Sequence, residues 1–114
     1  MPNWTTLGKL HDFSQADHTC ITIENISLVV CPVDNTFHVI LNACPHAGLP
    51  LGQGELRGKV ITCPYHGYAY NVTNGRNIDW PHDEPPIKTF PVRIEGDTLQ
   101  ADLTSSLPNT AENI

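Results

Sequence analysis

The sequence predicts an all-β protein, a small antiparallel β-sandwich, on three observations. Short apolar or alternating runs recur along the chain, at residues 4–10, 19–23, 26–31, 37–41, 59–62, 68–72, 89–94 and 98–101. Pairs suited to tight turns stand between them: Glu24-Asn25, Asp34-Asn35, Asn74-Gly75 and Gly96-Asp97. No stretch of ten or more residues sustains a helical apolar period.

Taken in order, the run at 4–10 opens the fold, and the runs at 19–23 and 26–31 flank Glu24-Asn25 as a first hairpin. The run at 26–31 continues across Asp34-Asn35 into 37–41, a second hairpin on the same strand. The runs at 59–62 and 68–72 enclose a short loop with Cys63 and His66, and Gly96-Asp97 folds 89–94 onto 98–101. No internal repeat or low-complexity segment suggests a solenoid or a linker.

A chain of 114 residues fits one domain with a modest core, here residues 1–103, and the polar segment 104–114 with Pro108 reads as a loosely held tail. The 8 glycines and 10 prolines suit a turn-rich globular protein. Lys and Arg number 6 against 12 Asp and Glu, and the net charge of −6 disfavours nucleic acid and anionic membrane surfaces as partners. A positively charged protein partner fits better. The first residues lack a basic stretch followed by an apolar run, and nowhere do 18 apolar residues follow one another, so the expectation is a cytoplasmic, monomeric protein without a membrane span. In a reducing compartment the four cysteines are metal ligands, catalytic groups or buried small apolar side chains rather than two disulfides.

Two Pro- and Gly-rich stretches interrupt the strand rhythm, residues 43–54 and 62–68, and each carries one Cys and one His. The pattern is Cys44-x-His46, 16 intervening residues, then Cys63-x-x-His66. Two thiolates and two imidazoles complete two tetrahedral irons that share two sulfides when both His replace Cys on one iron. Gly48 and Gly67 would let backbone N–H groups approach the sulfurs. Tetrahedral zinc also takes two Cys and two His, but its usual order puts the Cys pair in one half-motif and the His pair in the other. A catalytic Cys-His pair lacks a third orienting group.

Cys44-Pro45-His46-Ala47-Gly48 with Cys63-Pro64-Tyr65-His66-Gly67 resembles the Rieske signature. With the Phe90-Pro91-Val92 strand and the strand at 97–101, the resemblance covers nearly the whole chain, and it is greatest to the soluble ferredoxins of multicomponent aromatic-ring dioxygenases. It implies a Rieske-type [2Fe-2S] cluster on Cys44, His46, Cys63 and His66, one per chain. It also implies a cluster-binding subdomain of two loops covered by a third, Pro-rich loop, for which residues 80–86 are the candidate. Respiratory Rieske proteins carry an extra Cys in each loop, where this chain has Leu49 and Tyr65. They also place a sulfide-bonding Ser where Tyr68 stands, and a Tyr at the position of Tyr70, whose hydroxyl is in reach of a Cys sulfur.

The implied function is one-electron carriage from an NAD(P)H-dependent flavin reductase to a terminal Rieske oxygenase, without a substrate site of its own. A Rieske oxygenase proper needs a further mononuclear iron site, for which this length leaves no residues. A small Rieske-like subunit of a nitrite reductase is the alternative, against which the complete set of four ligands speaks. With the respiratory disulfide and the Ser donor missing, the potential is expected in the lower half of the range of about −150 to +300 mV.

Other conspicuous residues read more plainly. Cys20 and Cys31 flank the Asn25 turn, where a tight hairpin would place them across from each other, and they are read as buried thiols. His11, His18 and His38 are read as surface or strand residues, and His82 as a neighbour of the cluster. Asp79, Asp83, Glu84, Glu95, Asp97 and Asp102 form a solvated face or an acidic rim that steers a basic partner.

Overall fold

The computed structural model describes residues 3–13, 17–45, 50–65 and 67–104. Among these residues ten strands form three antiparallel sheets: β1 (Trp4–Lys9), β2 (Thr19–Ile23), β3 (Ile26–Val33), β4 (Thr36–Leu41), β5 (Glu55–Arg57), β6 (Val60–Thr62), β7 (Ala69–Asn71), β8 (Thr89–Phe90), β9 (Val92–Glu95) and β10 (Thr98–Asp102). The sheet orders are β1-β10-β9, β2-β3-β4-β8 and β5-β6-β7. The helical content among the described residues is two single 3-10 turns, Leu10–Asp12 and Leu51–Gln53.

The hairpins follow from the turn residues. Glu24 and Asn25 have φ of 53° and 68°, Asp34 and Asn35 of 50° and 66°, and each pair closes a two-residue loop between registered partners, Ile23 with Ile26 and Val33 with Thr36. Two successive positive φ values give the hairpin turn whose twist matches the strands, a conformation that Asn and Asp tolerate better than other residues.

The middle sheet is the backbone of the molecule, because β3 is buried on both faces. Leu28 and Val30 point to a core shared with Leu7, Phe13, Phe37, Phe90, Leu99 and Ala101, against the sheet of β1, β9 and β10. Val29, Cys31 and Val33 point the other way, to a core with Ile40, Leu51, Ile61, Tyr70, Val72 and Ile87 that joins the middle sheet to β5-β6-β7. The continuous apolar run of β3 therefore marks a central strand covered twice rather than a half-exposed one. Cys44 and Cys63 belong to this second core.

Three details depart from the sequence reading. The run at 89–94 is two strands, since Pro91 has no N–H for the ladder and separates β8, paired with β4, from β9, paired with β10. Glu55–Arg57 is a strand paired with β6, hidden in the sequence by its mixed polar composition. Cys20 lies opposite Val29 and Cys31 opposite His38, so the two cysteines are diagonal neighbours on one face and not a facing pair. Both are free; Cys31 is fully buried and Cys20 exposed, which corrects the reading of Cys20 as a buried thiol. Burial, with Cys20 beside it, pushes the Cys31 thiol up to about 12.

Candidate metal centre

Three loops converge where the second core meets the end of β5-β6-β7. The first leaves β4 after Leu41. The Asn42 N–H donates to the Ser27 carbonyl at 2.9 Å and the Ala43 N–H to the Leu41 carbonyl at 2.8 Å, which turns the chain inward and leaves Cys44 at 1% exposure. The loop is regained at the Leu51–Gln53 turn, where two side chains hold Gly52: its N–H donates to Asn42 Oδ1 at 2.7 Å, and its carbonyl lies 2.7 Å from His18 Nε2. A Cβ on Gly52 would collide with Cys20 Sγ, so any other residue here would force the Cys20 side chain to move.

The second loop joins β6 to β7. The Cys63 N–H donates to the Tyr68 carbonyl at 2.7 Å and the Gly67 N–H to the Cys63 carbonyl at 3.0 Å, and Gly67 takes φ of 73°. A left-handed residue is what lets the chain reverse this tightly. Cys63 is fully buried, while Tyr65 is 47% exposed and its hydroxyl donates to Gln53 Oε1 at 3.2 Å, tying the second loop to the exit of the first. An open depression of about 470 Å³ lies between them, lined by Gln53, Gly54, Thr62, Cys63, Pro64 and Gly67 among others.

The third loop departs after Gly75 and returns at Ile87, whose N–H donates to the Gly75 carbonyl at 2.8 Å. Within it the Trp80 ring, 48% exposed, packs against Tyr68 with centroids 5.8 Å apart. Trp80 thus brings the start of residues 80–86, the expected covering loop, against the second loop, and His82 is exposed within it.

Of the four expected ligands the structure places two. Cys44 and Cys63 are brought together in one core, from separate loops, as free thiols. His46 and His66 lie outside the described residues, as do Gly48 and Leu49. Among the described residues, therefore, no group of three or more His, Cys, Asp or Glu converges. The donor chemistry present fits half of a [2Fe-2S] ligand set: two buried sulfurs without a disulfide, beside an open depression that one of them lines.

Tyr70 adds to this. Its hydroxyl sits 3.9 Å from Cys44 Sγ, in the position the sequence suggested for a hydroxyl near a Cys sulfur. Burial first, and then Cys44, hold its pKa well above the usual phenol value, and in this contact either the hydroxyl or the thiol can be the donor. Tyr68 packs against the same core and Trp80.

His18 was read as a surface or strand residue, but its side chain is only 12% exposed: Nε2 lies 2.7 Å from the Gly52 carbonyl, and Nδ1 lies 2.9 Å from Asp17 Oδ1 without closing a hydrogen bond. Asn77 escaped the sequence reading altogether. It is 1% exposed, and its Oδ1 accepts from the N–H groups of Asp79 and Trp80, both at 2.9 Å. An Asn two and three residues ahead of a loop tip is a turn signal, visible in Asn77-Ile78-Asp79-Trp80, though its burial is not.

Comparison with known proteins agrees with this geometry. Residues 3–91 match the family described as Rieske [2Fe-2S] domain. The ferredoxin component of the naphthalene 1,2-dioxygenase system of Pseudomonas aeruginosa is 31% identical over 101 residues, spanning 89% of this chain and 96% of that protein. The solved Sphingomonas yanoikuyae B1 ferredoxin is 30% identical with a TM-score of 0.78, covering 88% of this chain and 98% of that one. A chain from the complex of reduced oxygenase and oxidized ferredoxin in carbazole 1,9a-dioxygenase is 26% identical with a TM-score of 0.77, covering 87% and 92%. The mixed Cys-x-His and Cys-x-x-His loops, the two buried thiols they deliver and the match over most of the chain all have one reading: the chain belongs to the Rieske [2Fe-2S] domain family.

Proposed function

We propose that the chain is the ferredoxin component of a multicomponent aromatic-ring dioxygenase, carrying one electron at a time from an NAD(P)H-dependent flavin reductase to a terminal Rieske oxygenase. The observation that carries this reading is the pair of free, buried cysteines that two loops deliver to one end of a domain matching stand-alone ferredoxins over nearly their whole length. Cys44 and Cys63 would hold one iron, and His46 and His66 the other. The cluster supplies a one-electron couple when bound.

The chain's own residues shape that end for transfer. Tyr70 offers a hydroxyl to the Cys44 sulfur, Gly67 turns the second loop, and Tyr65, Ile78 and Trp80 present exposed apolar surface around it. A small contact there suits a carrier that binds and releases two partners in turn. The reading takes residues 1–103 as one domain with a tail at 104–114, and the protein as a cytoplasmic monomer. Among the described residues no helix is long and apolar enough to cross a membrane. The alternative of a nitrite reductase subunit finds no support in the relatives above, none of which is named for a nitrite reductase.

Protein purified anaerobically from iron-replete cells tests this. Two irons and two acid-labile sulfides per chain are expected, with the rhombic low-g spectrum of a mixed Cys/His cluster on reduction. Stoichiometric zinc in their place would overturn the assignment. Reduction by a flavin reductase and reoxidation by a Rieske oxygenase, followed at the visible band, checks the direction of transfer.

A further inference from the structure

A short stretch of backbone links the third loop to the Cys44 sulfur. Tyr70 on β7 forms a β-bridge with Asn77, flanked by hydrogen bonds from the Asn71 N–H to the Arg76 carbonyl at 2.9 Å and from the Ile78 N–H to the Ala69 carbonyl at 2.8 Å. The ladder bonds thus lie on either side of the Tyr70–Asn77 pair and none within it. In an antiparallel ladder such a pair has the closest side chains, both on the same face. That face is the core containing Cys44.

Asn77 has one occupied end and one open end. Oδ1 takes the N–H groups of Asp79 and Trp80 and so fixes the first turn of the Pro-rich loop. Nδ2 is buried and closes no hydrogen bond in the structure. The bridge sets Asn77 and Tyr70 side by side on one face, with the Tyr70 hydroxyl 3.9 Å from Cys44 Sγ. A buried amide donor left open is destabilising, so a role confined to the turn would be served better by Asp or Ser, which cap the same N–H groups without the orphan.

We propose that Asn77 is a positioning residue for the redox centre, its Oδ1 holding the Pro-rich loop and its Nδ2–H directing the Tyr70 hydroxyl at the Cys44 sulfur. The proposal rests on the reading of Cys44 as a cluster ligand. A phenol oxygen that accepts from Asn77 has its own proton free for sulfur, and the two bonds strengthen each other. Donation to a ligand sulfur favours the state carrying the extra electron, so Asn77 raises the midpoint potential through Tyr70.

A double-mutant cycle on the holoprotein tests it, with Asn77→Leu and Asn77→Asp each made in the wild-type and Tyr70→Phe backgrounds. The Leu variant is neutral and removes both ends of the amide; the Asp variant keeps the loop acceptor, loses the donor and adds a charge whose effect the cycle subtracts. The expected result is a lower potential for Asn77→Leu in the wild-type background, no further lowering in the Tyr70→Phe background, and a smaller shift for Asn77→Asp in the latter than in the former. Equal shifts in the two backgrounds would overturn the Asn77 assignment. Should Asn77→Leu not fold, the Asp pair alone decides it. A wild-type protein without the mixed Cys/His spectrum would instead overturn the functional reading on which the proposal stands.

Discussion

At the residue scale, burial does not separate the two loop cysteines from Cys31, but position does. Cys31, Cys44 and Cys63 are all buried, yet Cys31 sits mid-strand opposite His38, while Cys44 and Cys63 sit where loops enter the core. That difference in position was legible in the sequence, because Cys44 and Cys63 come with Pro, His and Gly at fixed spacing and Cys31 does not. Asn77 and His18 were not legible, since each acts through a contact that only folding creates, Asn77 across a bridge to Tyr70 and His18 across 34 positions to Gly52. Cys44→Ser and Cys63→Ser are expected to yield largely apo protein of lowered stability, because cluster binding is coupled to folding. Cys31→Ala should keep its full iron content and lose about 1 kcal/mol for the small cavity. Iron and sulfide content with denaturant melts of the three variants checks this, and a fully loaded Cys44→Ser protein would show the ligand assignment to be wrong.

At the element scale, loop geometry depends on the sheet beneath it. The strands and their turns were readable because alternating runs and Asn- and Gly-containing pairs are local signals, and the register they specify is the one observed at Ile23–Ile26 and Val33–Thr36. What the sequence left out shows only in the pairing: β5 is too short and polar to be seen before it meets β6, and the break at Pro91 appears because β8 joins β4 while β9 joins β10. The exit of the first loop shows the same dependence. Asn42 extends its Nδ2 to Ser27 Oγ at 3.1 Å and its Oδ1 to the Gly52 N–H, so one side chain fastens the Leu51–Gln53 turn to the start of β3. Asn42→Ala leaves a partly buried N–H unpaired, which costs about 1–3 kcal/mol. The expected outcome is a lower melting temperature together with faster loss of the cluster to a chelator, measured at constant temperature by bleaching of the visible band. An unchanged rate of loss would mean that the turn does not hold the loop.

At the scale of the whole molecule, charge governs stability in acid and the approach of partners. Asp97 is held below the usual carboxylate value by the Lys9 ammonium at 3.2 Å, and Asp102 by the hydroxyl and N–H of Thr104. Depressed folded-state values mean that this stabilisation is present above the unfolded value of 3.8 and is lost as pH falls through the lower folded one. Melting temperature should therefore drop below pH 3.8, and less steeply in Asp102→Asn, as calorimetry across that window would record. The net charge of −6 acts at longer range. Asp79 and Asp83 are exposed on either side of Trp80 in the third loop, beside the second cluster loop, whereas Glu95 is exposed at the β9–β10 turn, in the sheet on the far side of the middle one. If acidic groups near the transfer end steer a basic partner, they act on the encounter rate and are screened by salt, with a Debye length of about 10 Å at 0.1 M. The second-order rate of electron transfer to the oxygenase should fall by about tenfold between low salt and 0.5 M. Asp79→Asn with Asp83→Asn should lower the low-salt rate and flatten the salt dependence, and Glu95→Gln should leave both nearly unchanged. Stopped-flow mixing of reduced protein with oxidised oxygenase measures each rate, and equal loss from the Glu95 variant would show that overall charge, rather than its placement beside the loops, sets the encounter.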